Sequence, residues 1–123
     1  MSAVLQFVAP PPGLSPHTAF ELDQVSEVDG LFSLQALEDA SVRLFLVDPR
    51  DVAPDYAPVL SDEQTDLLLL LSPDDALLLV VAQLTADGLG VNLLAPVVVN
   101  QRTGVAAQLI LEGQDFPLRA LLP

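Results

Sequence analysis

The chain has 123 residues, with 17 Asp and Glu against four Arg and no Lys, so its formal net charge is −13 at pH 7. Such a chain is repelled by phosphate backbones, which argues against direct nucleic-acid binding and favours a basic protein partner, although an acidic surface that merely keeps the protein soluble has the same composition. The absence of Cys excludes disulfides, thiolate metal sites and Cys nucleophiles, and it fits a reducing cytoplasm.

The apolar stretch at residues 67–84 is too interrupted to cross a membrane. Ser72-Pro73-Asp74-Asp75 divides it, and its longest unbroken apolar run is residues 76–82. A membrane span needs about 20 such residues. Residues 1–8 lack the basic region and the length of a secretory signal. We therefore expect a soluble, cytoplasmic protein.

Short strands are predicted along the first part of the chain. Residues 20–23 alternate apolar and polar side chains, the period of a half-buried strand, and residues 42–47 are predicted to form another strand. Predicted strands recur every eight to twelve residues or so, a spacing typical of an all-β sandwich or barrel. Further strands are predicted at residues 3–8 and 31–37, with a proline-rich corner at residues 10–13 and a turn at Asp29-Gly30.

One short helix is predicted after residue 60. Ser61 is suited to the N-cap and Gln64 stands at the capping-box position, with Asp62 and Glu63 in the first turn, where the helix dipole favours acids. Ser72-Pro73 ends the helix by residue 71, and residues 77–84 are predicted to form a central strand.

The core of the domain is predicted to be a hairpin in residues 88–111, a span without Asp or Glu. Residues 91–100 (VNLLAPVVVN) are typical of a buried strand, with a break at Pro96 because proline cannot donate to a ladder. Residues 100–104 form the predicted loop, and residues 105–111 the returning strand. Residues 116–118 are predicted to pack into the core.

The sequence does not predict catalysis. A triad needs a His base, and His17, the single His, has no nearby carboxylate or Cys partner. The acid pairs Asp62/Glu63 and Asp74/Asp75 stand at helix or turn starts, where capping explains them. We expect no enzyme activity, no metal and no cofactor.

Several stretches resemble, in this order, the bacterial flagellar assembly factor FliW family. They are FVAPPPGL at residues 7–14, VDPRDVAPDY at 47–56, LSDEQ at 60–64, SPDD at 72–75, NLLAPVVVN at 92–100 and LEGQDFPLR at 111–119. The NLLAP motif is the most specific, and together the stretches cover nearly the whole chain from Phe7. The resemblance implies an all-β, mostly antiparallel fold: a small β-barrel-like single domain over residues 1–123, with one or two short helices and no enzyme activity.

The same resemblance implies a protein-binding regulator. Family members bind the RNA-binding translational repressor CsrA away from its RNA surface and antagonise it, and they bind flagellin in competition with CsrA. The alternatives are a secretion chaperone whose client is flagellin or another secreted subunit, and an acidic β-domain that has lost both partners. We expect a monomer when the protein is free.

The N-terminus departs from the family pattern. Family members usually carry a further strand or hairpin before the position of Phe7, whereas six residues precede it here, and Pro10 stands where the family usually has Gly. We expect a truncated N-terminal strand region, either because translation starts further upstream or because the barrel is open where the missing strand would pair. An open edge would invite pairing with another chain.

Seven residues are candidates for partner binding. Asn92, Pro96 and Asn100, around the strand break, could form a partner-facing surface. The alternative of equal weight is that the two Asn side chains satisfy backbone groups freed by Pro96. A Tyr among turn residues makes a good binding anchor, but a buried Tyr closing the barrel end is an equal alternative for Tyr56. The seven are Asp48, Pro49, Asp55, Tyr56, Asn92, Pro96 and Asn100.

Overall fold

Short strands joined by tight turns close into a seven-stranded barrel in the computed structural model, which describes residues 2–25, 30–111, 113–117 and 120–121. Around the ring the strand order is β4-β3-β2-β1-β8-β7-β5, and β5 pairs with β4 to complete it, while β6 and β9 extend from β5. The prediction of a mostly antiparallel all-β barrel is confirmed. The strands are β1 Ser2–Phe7, β2 Ala19–Gln24, β3 Leu31–Ala36, β4 Arg43–Val47, β5 Ala76–Thr85, β6 Gly88–Val91, β7 Val97–Asn100, β8 Val105–Gln108 and β9 Ala120–Leu121.

The first four strands form an antiparallel meander whose alternation follows the sequence. Phe20 and Leu22 of β2 point into the barrel with 0% and 7% of their surface exposed, while Glu21 and Asp23 face outward. This follows from the period of two, because successive side chains of a strand lie on opposite faces. Phe7 of β1 packs edge-to-face on Phe20 with ring centroids 5.3 Å apart.

The central strand β5 has ten residues and contacts three other strands. Its first part pairs with β7, from Ala76↔Asn100 to Leu79↔Val97, and its later residues pair with β4 and β6. Leu79 and Val80 are fully buried, as expected for the continuous apolar run predicted to be central.

The predicted core hairpin is formed by β7 and β8, with Val97↔Gln108 and Val99↔Ala106 in register. All four residues of β7 are buried. The returning strand ends at Gln108 and not at residue 111, because the segment opposite it is the irregular turn before Pro96. Leu109 and Leu111 still donate N–H bonds to the carbonyl oxygens of Pro96 and Leu94, at 2.9 and 2.8 Å.

Of the two alternatives for the N-terminal region, an open barrel edge is wrong, and a translation start further upstream stays a prediction. β1 pairs antiparallel with β2 on one side and parallel with β8 on the other, through Gln6↔Val105 and Phe7↔Ala106. The N–H of Gln6 also donates to the carbonyl of Gly104 at 2.9 Å. The pairing of β1 with β8 therefore completes the ring.

Two short helices and a 3₁₀ turn lie between β4 and β5: α1 Pro49–Val52, α2 Asp62–Leu67 and Pro73–Asp75. The capping box of α2 is confirmed, since the Ser61 side chain accepts from the Gln64 N–H and the Gln64 side chain accepts from the Ser61 N–H. Within the described ranges, no helix has the length and apolar character needed to span a membrane.

The buried side chains form three clusters, of which the largest fills the barrel and includes Leu5, Phe20 and Leu34. A second, around Val80 and Val91, includes half-buried Phe116 at its edge. Pro117 was predicted to lie in the core, but it is exposed. It contacts the turn before β7 through its backbone carbonyl, which accepts from the Leu93 N–H at 3.1 Å. The predictions that concern Asp29, Glu112, Leu118 and Arg119 fall outside the described residues.

Candidate functional site

Tyr56 packs against the second buried cluster, which includes Val80 and Val91. Its hydroxyl donates to the carbonyl oxygen of Leu93 at 2.6 Å, and its ring meets that of Phe116 edge-to-face with centroids 4.9 Å apart. Burial raises the pKa of the Tyr56 phenol to about 12, because the charged phenolate would lose water. This is the geometry of a tyrosine that fastens two segments of its own chain.

The turn that receives Tyr56 is stabilised by Asn92. The Asn92 Oδ1 accepts from the N–H groups of Leu94 and Ala95 at 3.1 and 3.0 Å, which compensates backbone groups that the break before Pro96 removes from the ladder. Pro96 is buried and Asn92 is half-buried. These contacts agree with the structural interpretation of Asn92 and Pro96, and a role for them in partner contact stays a prediction.

The segment that leads from β4 to Tyr56 begins with Asp48, the N-cap of α1. Its carboxylate accepts from the Arg50 N–H at 2.9 Å and pairs with the Arg50 guanidinium at 2.7 Å. Hydrogen bonding from Arg50 holds the pKa of the Asp48 carboxyl below its usual value. Pro49 is buried, so the groups this segment presents to solvent include Arg50 and Asp55.

Asn100 lies at the other end of β7 and is fully buried. Its Nδ2 donates to the carbonyl oxygens of Leu68 and Leu69 at 2.9 and 3.1 Å, and its Oδ1 accepts from the Arg102 N–H at 2.9 Å. The Asn100 side chain thus ties the end of β7 to the connector after α2, and a direct contact with a partner is blocked by its burial. The structure brings Tyr56 and Asn92 to one end of β7 and leaves Asn100 at the other.

The Leu69 carbonyl is held by a second side chain. Arg102 Nη2 donates to it at 3.2 Å, and Arg102 Nε is 3.2 Å from the carboxylate of Asp75, which also accepts from the Leu71 N–H. Leu69 has a φ of +58°, an unfavourable conformation for a residue with a side chain. We call Asn100, Arg102 and Asp75 the Leu69 clamp.

The connector that this clamp fixes, residues 67–71, was not among the candidate site residues predicted from the sequence. These are five consecutive leucines, of which Leu68 is buried while Leu67, Leu69 and Leu71 are 50%, 59% and 82% exposed. The signal was available, because five adjacent apolar residues at the end of a six-residue helix cannot all face one core.

The surface is strongly acidic around α2. Asp62, Glu63, Asp66 and Asp74 are exposed. The three Arg within the described ranges each have a contact of their own: Arg50 with Asp48, Arg102 with Asp75, and Arg43 over the ring of Phe45 at 5.1 Å. Among the described residues no three His, Asp or Glu side chains converge as a possible metal site. The charged groups exposed around α2 are therefore mainly carboxylates.

Comparison with known proteins gives a consistent result. The family model described as FliW protein matches residues 1–122. A flagellar assembly factor FliW from Thermotoga neapolitana is 34% identical over 114 residues, covering 90% of this chain and 76% of the relative. One from Desulfitobacterium hafniense is 30% identical over 118 residues, covering 94% and 78%. A crystal structure of the flagellar assembly factor FliW has the same fold, with a TM-score of 0.89 at 24% identity over 96% of this chain and 84% of that one.

Proposed function

This chain belongs to the FliW family of flagellar assembly factors, and from that membership we propose that it binds two proteins in competition, the RNA-binding repressor CsrA and flagellin. Bound to CsrA, it antagonises repression; bound to flagellin, it is withheld from CsrA. Export of flagellin then releases the protein onto CsrA, and translation of flagellin is adjusted. The observation that carries the proposal is the family match over residues 1–122.

The charge of the chain supports the choice of a basic partner. A net charge of −13 raises the rate of encounter with a basic RNA-binding protein and selects against acidic ones. An acidic protein docked on such a partner also lowers the partner's affinity for phosphate by charge alone, even where the RNA surface stays uncovered. Fourteen of the 17 acids lie in residues 21–75, so that part of the chain would carry most of the effect.

The first experiment is calorimetric titration of this chain into CsrA from the same organism, at low and at moderate salt. We expect binding that weakens as salt rises, because solvent-exposed charges are screened. A folded protein, checked by circular dichroism, that gives no heat in either buffer would contradict CsrA binding. Binding to flagellin alone would then favour the dedicated secretion chaperone. If the protein bound neither CsrA nor flagellin, the result would favour an acidic domain that has lost both partners.

Competition needs a separate titration. With flagellin present at saturation, the apparent affinity for CsrA should fall in proportion to the flagellin concentration. If CsrA binds with unchanged affinity to the flagellin complex, the two partners do not compete, and the proposed switch is wrong.

The electrostatic part of the mechanism is tested with two matched quadruple variants. One neutralises exposed acids (Glu38→Gln, Asp55→Asn, Glu63→Gln, Asp66→Asn), and the other exchanges the same acids with retention of charge (Glu38→Asp, Asp55→Glu, Glu63→Asp, Asp66→Glu). The first should relieve inhibition of RNA binding by CsrA and the second should not. Undiminished inhibition by the neutralised protein would show that charge is not the mechanism.

A further inference from the structure

A groove of about 430 Å³ lies beside α2 and has mostly apolar walls. Its floor is continuous with the buried cluster formed by Leu68, Val98, Ala107 and Leu109, since partly buried residues of the groove pack against that cluster. An exposed apolar groove joined to a core is typical of a docking site. The larger apolar residues that line it are Pro58, Leu60, Leu70, Leu71, Pro73 and Leu78.

The leucine at the rim of this groove is held in place. Leu71, which lines the groove, is 82% exposed, and its N–H donates to the carboxylate of Asp75 at 3.3 Å. The neighbouring Leu69 keeps its strained backbone because the Leu69 clamp holds its carbonyl. A surface fixed before binding loses little conformational entropy when a partner docks. Side-chain hydrogen bonds therefore hold the backbone of the connector while its apolar side chains Leu69 and Leu71 face solvent.

Acidic side chains lie next to residues that line the groove. Asp62 and Asp66 are exposed and one helical turn apart on α2, close in sequence to Thr65, which lines the groove. Asp74 is exposed and follows Ser72 and Pro73, which also line the groove. The nearby Arg102 guanidinium is engaged by Asp75 and by the Leu69 carbonyl. An occupant of this groove meets an apolar floor and a negative edge.

We propose that this groove docks an amphipathic segment of another protein that carries large aliphatic side chains on one face and Lys or Arg beside them. The aliphatic side chains enter the groove beside Leu71, and the cations lie against Asp62, Asp66 and Asp74. A second copy of this chain does not fit that description, since it carries −13 and no Lys, and an anionic lipid surface would be repelled by the same rim. The inference rests on the groove itself and goes beyond the proposed function.

The test uses the full chain and a synthetic peptide of Leu and Lys, on the order of 14 residues or four helical turns, arranged to be amphipathic. Two matched peptides replace Leu by Ala or Lys by Glu. We expect fluorescence anisotropy to show binding of the Leu/Lys peptide, binding about tenfold weaker or more for the Ala/Lys peptide, and none for the Leu/Glu peptide. Equal binding of the Leu/Lys and Ala/Lys peptides would overturn the proposal, because charge alone would then explain the association.

The site is located with Leu71→Ser, which removes an exposed side chain at the rim and should weaken the Leu/Lys peptide about tenfold. The matched control is Leu37→Ser, since Leu37 is 52% exposed after β3 and does not line this groove. It should leave the affinity unchanged. Circular dichroism verifies that both variants are folded, and equal affinities for the two variants would overturn the proposal.

The acidic rim is tested in the same way. Asp62→Asn with Asp66→Asn should weaken the Leu/Lys peptide more than Glu38→Gln with Asp55→Asn, which removes the same charge elsewhere; equal losses would overturn the rim's role. These outcomes are separable from those of the proposed function. Peptide binding at the groove without heat from CsrA or flagellin rejects the proposed partners and keeps the groove. Binding of CsrA, together with equal affinities of Leu71→Ser and Leu37→Ser for the Leu/Lys peptide, rejects the groove and keeps the partners.

Discussion

The hydroxyl of Tyr56 donates to the carbonyl oxygen of Leu93 at 2.6 Å, joining the segment after β4 to the turn before β7. These two residues are 37 positions apart in the chain, and the ring of Tyr56 also packs edge-to-face on that of Phe116. Three separate segments thus meet at one phenol. The protonated form of that phenol is the form the fold needs.

Titration of Tyr56 should reveal that the folded protein keeps this phenol protonated. The signal is specific, because Tyr56 is the single Tyr in a chain without Trp. In the folded protein the ultraviolet absorbance of tyrosinate should rise with a midpoint of about pH 12, against 10.0 in urea. The folded pKa is raised, so the stabilisation is fully present below pH 10 and is lost as pH rises towards 12. In Tyr56→Phe this pH-dependent loss of stability should disappear. A midpoint near 10 in a protein that is still folded by circular dichroism would contradict the assigned burial.

Asn100→Ala should destabilise the protein by about 2–3 kcal/mol, because it leaves the Leu68 carbonyl oxygen without its donor and the Arg102 N–H without its acceptor, and removes one of the two donors to the Leu69 carbonyl. Urea unfolding followed by circular dichroism measures the change. Gln101→Ala, at the exposed neighbouring position, is the control and should stay within about 0.5 kcal/mol of the original protein. Similar losses for the two variants would show that the Leu69 clamp contributes nothing to stability.

Local patterns were predictable from the sequence. The capping box of Ser61 and Gln64 depends on residues three apart, and the strand alternation at Phe20 and Leu22 depends on neighbours, so both were identified. Asn100 stayed ambiguous because its partner Leu68 is 32 residues away, and nothing local distinguishes a buried amide from a partner-facing one.

Closure of the barrel was also beyond local reasoning. The pairing of β1 with β8 joins Phe7 to Ala106, and the pairing of β4 with β5 joins Val47 to Val80. Both ladders depend on the curvature of the whole sheet, which the pattern of a single strand does not determine. The groove beside α2 depends on the same long-range packing, although the run of leucines at residues 67–71 indicated that some of them would be exposed.

Gly104→Ala should weaken the seam where β1 meets β8. Gly104 has a φ of +81°, and a Cβ there would lie 3.0 Å from the Val4 carbonyl oxygen, so backbone strain and a close contact combine. We expect a loss of about 2 kcal/mol in urea unfolding. Gly13→Ala is a matched control, since its φ of +82° is the same within a degree but its Cβ would have nothing within 4 Å. It should cost about 1 kcal/mol from strain alone. Equal losses would show that the seam tolerates a side chain at residue 104.

Ser61→Ala should open α2 locally without unfolding the barrel. The Ser61 Oγ accepts from the Gln64 N–H at 3.1 Å, and no side chain within α2 is buried, so the helix depends on its cap and on the packing of Leu68 behind it. Loss of the cap costs about 1 kcal/mol, which predicts roughly fivefold faster hydrogen exchange at the Gln64 amide. Ser41→Ala is the control, because Ser41 bonds to Asp39 outside any helix and its loss should leave the Gln64 amide unchanged. Unaltered exchange at Gln64 in Ser61→Ala would mean that tertiary packing, and not the capping box, holds α2 against the groove.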